Sequence, residues 1–270
     1  MDVMIVGANA KAFKYVNNAL NTIMHDSKIY ALSKDECDVT NLEKLLLVHK
    51  QINPDLIINL SAYTNTYAPD TDKSEYAKCY KINAIGPKNI ALVSRKPIIH
   101  ISTNYVYKNG KDLYKESDVG FIGPETAYGM HKWIGEEYLR RLSVRHFILR
   151  TQWLFDKSEE NFLSKLIAGR LQNQGLDDLS YGIPTSYKTL GRLIALTANA
   201  IKSDTIRAGI YAAVNSGDRI TTWQLAQRIG QGNLHRKQNS DRIISIPLDN
   251  SKIKLALQTD IEDYMEAINE

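Results

Sequence analysis

Tyr128 and Lys132 stand in the spacing Y-x-x-x-K, and Ser102-Thr103 closes an apolar run earlier in the chain. Residues four apart share one face of a helix. A free phenol is a weak acid with a pKa of about 10, and a neighbouring ammonium favours its ionised form. A hydroxyl beside that pair can hold a carbonyl oxygen while it gains charge. Tyrosine, lysine and Ser/Thr together therefore suit proton transfer during reduction of a ketone or oxidation of an alcohol. The three residues matter as a set, because Y-x-x-x-K alone also describes an ordinary surface helix.

These groups need a frame. Short apolar runs at 3–6, 29–32, 56–60, 98–101 and 147–149 predict strands buried on both faces. Helical periodicity occupies 12–24, 42–51, 76–94 and 126–142, with Thr40 expected to cap the second helix and Pro54-Asp55 to close it. Repeated β-α-β units of this kind force a parallel sheet with right-handed crossovers. Ligands bind such sheets at the carboxyl ends of the strands. Gly7, Ser61 and Ser102-Thr103 all fall there, so three segments converge on one crevice.

After Arg150 the pattern loosens into helices at 161–171, 190–202, 222–229 and 261–268, with strands expected at 210–214 and 243–246. The fold class is α/β: a Rossmann-type, doubly wound parallel sheet with a smaller C-terminal substrate lobe. Residues 1–150 are expected to form the dinucleotide-binding core. Residues 151–270 are expected to be mainly substrate-binding lobe, with segments returning to the core.

Composition narrows the function. The 270 residues are 43% hydrophobic and 24% charged, ample for a sizeable core. A net charge of +4 without a long Lys/Arg run does not imply nucleic acid but suits an anionic small molecule. Cys37 and Cys79 fit neither a disulfide framework nor a metal site, and the remaining histidines form no metal-like cluster. Met1 to Gly7 enters a strand without a signal-like leader, and no apolar run reaches the length of a membrane span. The expectation is a soluble cytoplasmic protein with no metal and no membrane partner.

The first turn reads Gly7-Ala8-Asn9-Ala10-Lys11-Ala12-Phe13, where a dinucleotide-binding turn often reads G-x-x-G-x-x-G. Only the first glycine is present. Ala10 places a methyl where a pyrophosphate approaches, and Phe13 places a ring where helix and strand should touch. Backbone donors at the helix start need no side chain, and Lys11 offers charge to a phosphate. At the end of the second strand, Ser33-Lys34 suits a ribose 2′-phosphate, which favours NADP(H) over NAD(H). Asp38-Val39 is placed to border the adenine.

With these residues in view, the chain resembles the extended short-chain dehydrogenase/reductases, and among them the dTDP-4-dehydrorhamnose reductase family. The resemblance rests on Asp38-Val39-Thr40, Pro54-Asp55 through Asn59-Leu60-Ser61-Ala62-Tyr63-Thr64, and Asn83-Ala84-Ile85-Gly86-Pro87-Lys88-Asn89. It continues through His100-Ile101-Ser102-Thr103-Asn104-Tyr105-Val106-Tyr107, Tyr128-Gly129-Met130-His131-Lys132, Leu149-Arg150-Thr151-Gln152-Trp153 and Gly182-Ile183-Pro184-Thr185. It spans nearly the whole chain in order and thins past Asn215. Asn104 replaces an aspartate of the family pattern, and Asn65-Thr66-Tyr67-Ala68-Pro69-Asp70 replaces a more acidic segment.

The resemblance implies roles. Tyr128 would protonate the C4 oxygen of a nucleotide-linked 4-keto-6-deoxyhexose, Lys132 would hold the nicotinamide ribose and lower the Tyr128 pKa, and Thr103 would bind the reacting carbonyl. Gly7, Asn9, Ala10, Lys11, Ser33, Lys34, Asp38, Val39, Ser61, Ala62 and Tyr63 would line the cofactor. Ser102, Asn104, Tyr105, Trp153 and Pro184 would face the sugar nucleotide. The implied activity is NADPH-dependent reduction in deoxysugar biosynthesis; a homodimer is one assembly open to the chain. Two rival readings are a catalytically silent nucleotide-binding or regulatory subunit of the same fold, and a related sugar-nucleotide reductase or epimerase.

Overall fold

The computed structural model describes residues 1–171, 175–231, 234–237 and 243–270. The chain opens with β1 (Asp2–Val6), α1 (Phe13–Ile23), β2 (Lys28–Leu32), α2 (Leu42–Ile52) and β3 (Leu56–Asn59). Next come α3 (Ala68–Thr71), α4 (Lys73–Tyr80), a π-helical turn over Lys81–Ile85 and α5 (Gly86–Val93). Then follow β4 (Ile98–Thr103), α6 (Ala127–Leu142) and β5 (His146–Thr151). The second half holds β6 (Leu154–Phe155), α7 (Phe162–Ile167), β7 (Gly175–Asp177), β8 (Thr185–Ser186) and α8 (Tyr187–Lys202). It ends with β9 (Gly209–Ala212), α9 (Thr222–Arg228), β10 (His235–Lys237), α10 (Ser251–Leu257) and α11 (Tyr264–Asn269).

Six strands form one parallel sheet in the order β2-β1-β3-β4-β5-β9. Alternate residues serve opposite faces. Val3, Ile5, Leu56, Ile58 and Ile99 pack with Val16 and Leu20 of α1 and with Leu190 and Leu193 of α8. Met4, Val6, Ile57, Ile98 and Ile148 pack on the other face with Leu45 of α2, Ile90 of α5 and Leu139 of α6. Helices on both faces explain why the strands read as unbroken apolar runs. From β1 the chain crosses one way to β2 and the other way to β3. That reversal opens a crevice outside the carboxyl ends of β1 and β3.

Beyond Arg150, β9 completes the far edge of the sheet beside β5. A separate apolar cluster gathers Phe155, Leu163, Leu166, Ile183, Ile220, Leu225 and Tyr264. No described helix is long and apolar enough to cross a membrane.

Three local readings need correction. The helix expected over 76–94 begins earlier and is interrupted: the Asp72 side chain caps α4 by accepting the Ser74 and Glu75 N–H groups, and the π turn separates α4 from α5. Thr40 does not cap α2, because its N–H and hydroxyl both donate to Asp38 Oδ1 at 2.8 Å; Asn41 caps instead. The stretch 243–246 forms no strand, and Ile246 packs irregularly against the cluster around Val106 and Val214.

Candidate active site

Gly7 begins the crevice. Its φ of +86° is a left-handed conformation that favours glycine, and a Cβ there would lie 2.6 Å from the Ser61 nitrogen. The end of β3 therefore packs directly on the turn. The Gly7 and Ala8 N–H groups donate to the Leu32 carbonyl, and Ala10 N–H donates to Gly7 O. Among the described residues, the Lys11 and Ala12 N–H groups have no backbone acceptor at the start of α1. Such free donors at a helix start fit a pyrophosphate. Ala10 and Phe13, which replace glycines, pack against the apolar cluster beneath α1, and Asn9 is exposed. Lys11 pairs with Glu159 at 2.9 Å.

Tyr128 sits in the first turn of α6, which is capped by the Thr126 hydroxyl accepting the Gly129 N–H at 2.9 Å. A Cβ at Gly129 would lie 2.3 Å from the Tyr105 carbonyl oxygen, so only glycine lets the helix approach this closely. The Tyr128 and Tyr105 rings meet edge-on with centroids 5.6 Å apart. Thr103, the last residue of β4, is buried, and its hydroxyl is near enough to the Tyr128 phenol to lower its pKa. That hydroxyl also accepts the Tyr105 N–H at 3.2 Å.

Lys132 is one turn further along α6 and almost wholly buried. Its Nζ donates to the Ile101 carbonyl at 2.5 Å and lies 3.3 Å from His100 Nε2. Tyr128, Thr103 and Lys132 thus meet at the carboxyl end of β4. Burial dominates their chemistry. It pushes the Tyr128 phenol far above its ordinary value, with the Tyr105 ring adding to the rise and the Thr103 hydroxyl opposing it. Burial also brings Lys132 down from 10.5 to about 8, against the opposite pull of Glu136 and Cys79. The Thr103 hydroxyl is the group that lowers the Tyr128 pKa, and the lowering expected from Lys132 is not seen.

At the end of β2, Ser33 and Glu36 hold each other: Ser33 N–H donates to Glu36 at 2.8 Å and Glu36 N–H to the Ser33 hydroxyl at 3.4 Å. Lys34 is exposed beside them. Asp38 is half-buried and ties down Thr40, while Val39 is buried and its carbonyl accepts from Asn89 Nδ2 at 2.9 Å. Ser61 N–H donates to Asn59 Oδ1 at 3.0 Å, and Ala62 is exposed. The Tyr63 backbone is bracketed by the Asn83 amide in the π turn, with both contacts near 3 Å. The Tyr63 hydroxyl donates to Glu75 at 2.5 Å, which pushes its pKa up to about 12.

The residues expected on the sugar side divide. Ser102 points away from Thr103, and its hydroxyl donates to buried Glu136 at 2.5 Å. Glu136 is also bound by Arg150 at 2.6 Å, and Arg150 donates to the Tyr107 hydroxyl at 2.6 Å. Asn104 is buried and donates to the Ile246 carbonyl at 3.0 Å. Tyr105 is half-buried at the crevice. Trp153 has a φ of +46°, uncommon for a bulky residue, and a Cβ at Gly182 would lie 2.4 Å from its ring. Trp153 therefore rests on the Gly182 backbone, two residues before buried Pro184.

Four contributors are not visible from residue spacing. Asp70 accepts the Ala127 N–H at 2.7 Å, joining the loop after β3 to α6. Glu159 reaches Lys11, and His100 with Asn59 meets Lys132. Helix N-terminal position could have drawn notice to an acid for α6, but its distance in sequence hides it.

Residues 1–264 match the protein family described as RmlD substrate binding domain. The dTDP-4-dehydrorhamnose reductase of Aggregatibacter actinomycetemcomitans is 32% identical over 73% of this chain and 67% of its own length. The enzyme of that name from Escherichia coli (strain K12) is 28% identical over 83% of this chain and 75% of its own. The crystal structure of dTDP-4-dehydrorhamnose reductase from Bacillus anthracis in complex with NADP superposes with a TM-score of 0.84 at 26% identity, covering 99% of this chain and 96% of that one. With the crevice, the Tyr128-Thr103-Lys132 cluster and these likenesses in agreement, the chain belongs to the dTDP-4-dehydrorhamnose reductase family.

Proposed function

We propose that the protein reduces a nucleotide-linked 4-keto-6-deoxyhexose, dTDP-4-dehydrorhamnose, with NADPH. The observation that carries this reading is the Tyr128 phenol gathered with the buried Thr103 hydroxyl at the carboxyl end of β4, with Lys132 one turn away and anchored on the Ile101 carbonyl. NADPH, when bound, supplies the hydride. Lys11 and Ala12 N–H groups at the start of α1 would hold its pyrophosphate, Ser33 and Lys34 its ribose phosphate, and Lys132 its nicotinamide ribose. Thr103 orients the sugar carbonyl through its hydroxyl. Tyr128 gives its proton to the C4 oxygen as charge develops there. A phenol whose ionisation is pushed far up holds that proton until the oxygen demands it. Trp153 and Pro184 would flank the sugar and its nucleotide.

Residues 1–150 serve as the dinucleotide-binding core and 151–270 mainly as the substrate lobe, with β9 and α8 lent back to the core. A homodimer in the cytoplasm is the working form we propose. Exposed Tyr76 on α4 and Met130 on α6 give adjacent helices apolar surface for it.

The test follows NADPH absorbance with dTDP-4-dehydrorhamnose. Turnover by wild type that falls by a factor of about 100 or more in Tyr128→Phe is expected. No turnover by wild type would leave the silent nucleotide-binding subunit as the better account, and undiminished turnover by Tyr128→Phe would remove Tyr128 as the acid. Light scattering in solution reads the assembly.

A further inference from the structure

His100 is wholly buried in β4 and faces side chains from two other elements. Its Nδ1 lies 3.0 Å from Asn59 Nδ2 at the end of β3, and its Nε2 lies 3.3 Å from Lys132 Nζ on α6. The Asn59 amide is oriented by its other end, where Oδ1 accepts the Ser61 N–H at 3.0 Å. Only the NH2 group is left to face His100, which makes Nδ1 an acceptor. A neutral imidazole then carries its proton on Nε2. Burial keeps the ring neutral by pushing its pKa well down. The Nε2–H therefore points at Lys132 Nζ, which already donates to the Ile101 carbonyl. An amine can meet that N–H with its lone pair, whereas an ammonium has none to offer.

We infer that Asn59 and His100 are a positioning pair that favours the uncharged amine of Lys132 over its ammonium, so that the amide orientation at the end of β3 tunes the protonation of this lysine. Its use in catalysis rests on the reductase reading above. For Lys132 to donate to Nε2 as an ammonium, the His100 proton must sit on Nδ1. The Asn59 amide must then turn to present Oδ1, which gives up the Ser61 N–H and sets donor against donor. Ser61 packs on Gly7 in the floor of the crevice, where a Cβ on Gly7 would be 2.6 Å from its nitrogen. A nucleotide that binds the Ser61 N–H releases the amide to turn and lets Lys132 take a proton from solvent. The other titratable groups facing Lys132 are Tyr128 one turn back, Cys79 from α4, and Glu136 one turn on, itself bound by Arg150. Glu136 and Cys79 favour the ammonium, and burial outweighs them.

The experiment is NMR of the ligand-free full chain labelled with 15N-histidine and 13Cε-lysine, with Lys132→Met and His100→Gln assigning the two signals. Wild type is expected to show His100 as the Nε2–H tautomer and Lys132 titrating well below the exposed lysines. Asn59→Asp offers a carboxylate that accepts from both Ser61 N–H and His100 Nδ1–H. It is expected to convert His100 to the Nδ1–H tautomer and raise the Lys132 midpoint by about one pH unit or more. An Nδ1–H tautomer in wild type overturns the inference even if Asn59→Asp does not fold. A raised midpoint with an unchanged tautomer overturns it too, because the added charge alone would do that. Absence of NADPH turnover would leave this result standing and remove only the reductase reading.

Discussion

The Asp70 carboxylate accepts the Ala127 N–H at 2.7 Å, tying the loop after β3 to the helix turn that carries Tyr128. A carboxylate at a helix start satisfies an otherwise free donor and complements the helix dipole. Asp70→Ala should lower stability by about 1 kcal/mol. It should also lower turnover more than stability alone explains, since the loop would no longer be registered against the acid. Denaturant melts run beside initial rates check this, and a variant indistinguishable from wild type in both would show the contact to be idle.

Lys132 carries a stability cost with a definite pH dependence. Its folded pKa, about 8, lies below the ordinary 10.5, so the unfolded chain binds more protons between those values. Stability should therefore rise with pH across that window. The shift corresponds to roughly 3 kcal/mol of order-of-magnitude burial cost below pH 8. Lys132→Met should be inactive yet more stable than wild type at pH 7, with the advantage fading above about pH 10. Urea unfolding at pH 7 and pH 10 reads both halves of the expectation.

Gly129→Ala tests how closely α6 must approach. The added methyl would meet the Tyr105 carbonyl at 2.3 Å, and a backbone atom cannot swing aside. A loss of about 1–3 kcal/mol is expected from the forced shift. Turnover should fall further, because Tyr128 moves with the helix. Retained activity at reduced stability would separate the acid's position from the helix approach.

Glu136→Gln leaves the Arg150 guanidinium buried without its carboxylate, where the two are now 2.6 Å apart. Breaking a buried pair on one side costs about 3–5 kcal/mol. Replacing both by apolar residues, as in Glu136→Leu with Arg150→Met, should restore much of that loss. Thermal melts of the single and double variants decide it.

Much of this architecture was legible because its signals are local. The apolar runs around Val3, Ile57 and Ile99 need no partner to be read as strands, and Tyr128 and Lys132 are joined by one helical turn. Features set by distant contacts were not. Asn83 sits in a π turn that separates two helices, with its carbonyl oxygen pressed so near Gly135 that a Cβ there would lie 2.2 Å away. Thr40 has the chemistry of a cap but is taken by Asp38, which residue propensity does not reveal. His100 reads as a strand residue in any linear view. Its meeting with Lys132 exists only once β4 and α6 have packed.

Trp153, seated on the bare backbone of Gly182, marks a seam between an immovable foundation and an exchangeable rim. The strands below are locked from both sides by helices and Gly182 to Thr185 is itself buried, whereas Asn65 and Tyr67 lie exposed in the loop after β3. A sugar preference carried by those exposed positions would be open to change without disturbing Asp70 or the reducing centre. Directed evolution confined to Asn65 and Tyr67 would start from a scaffold that already folds.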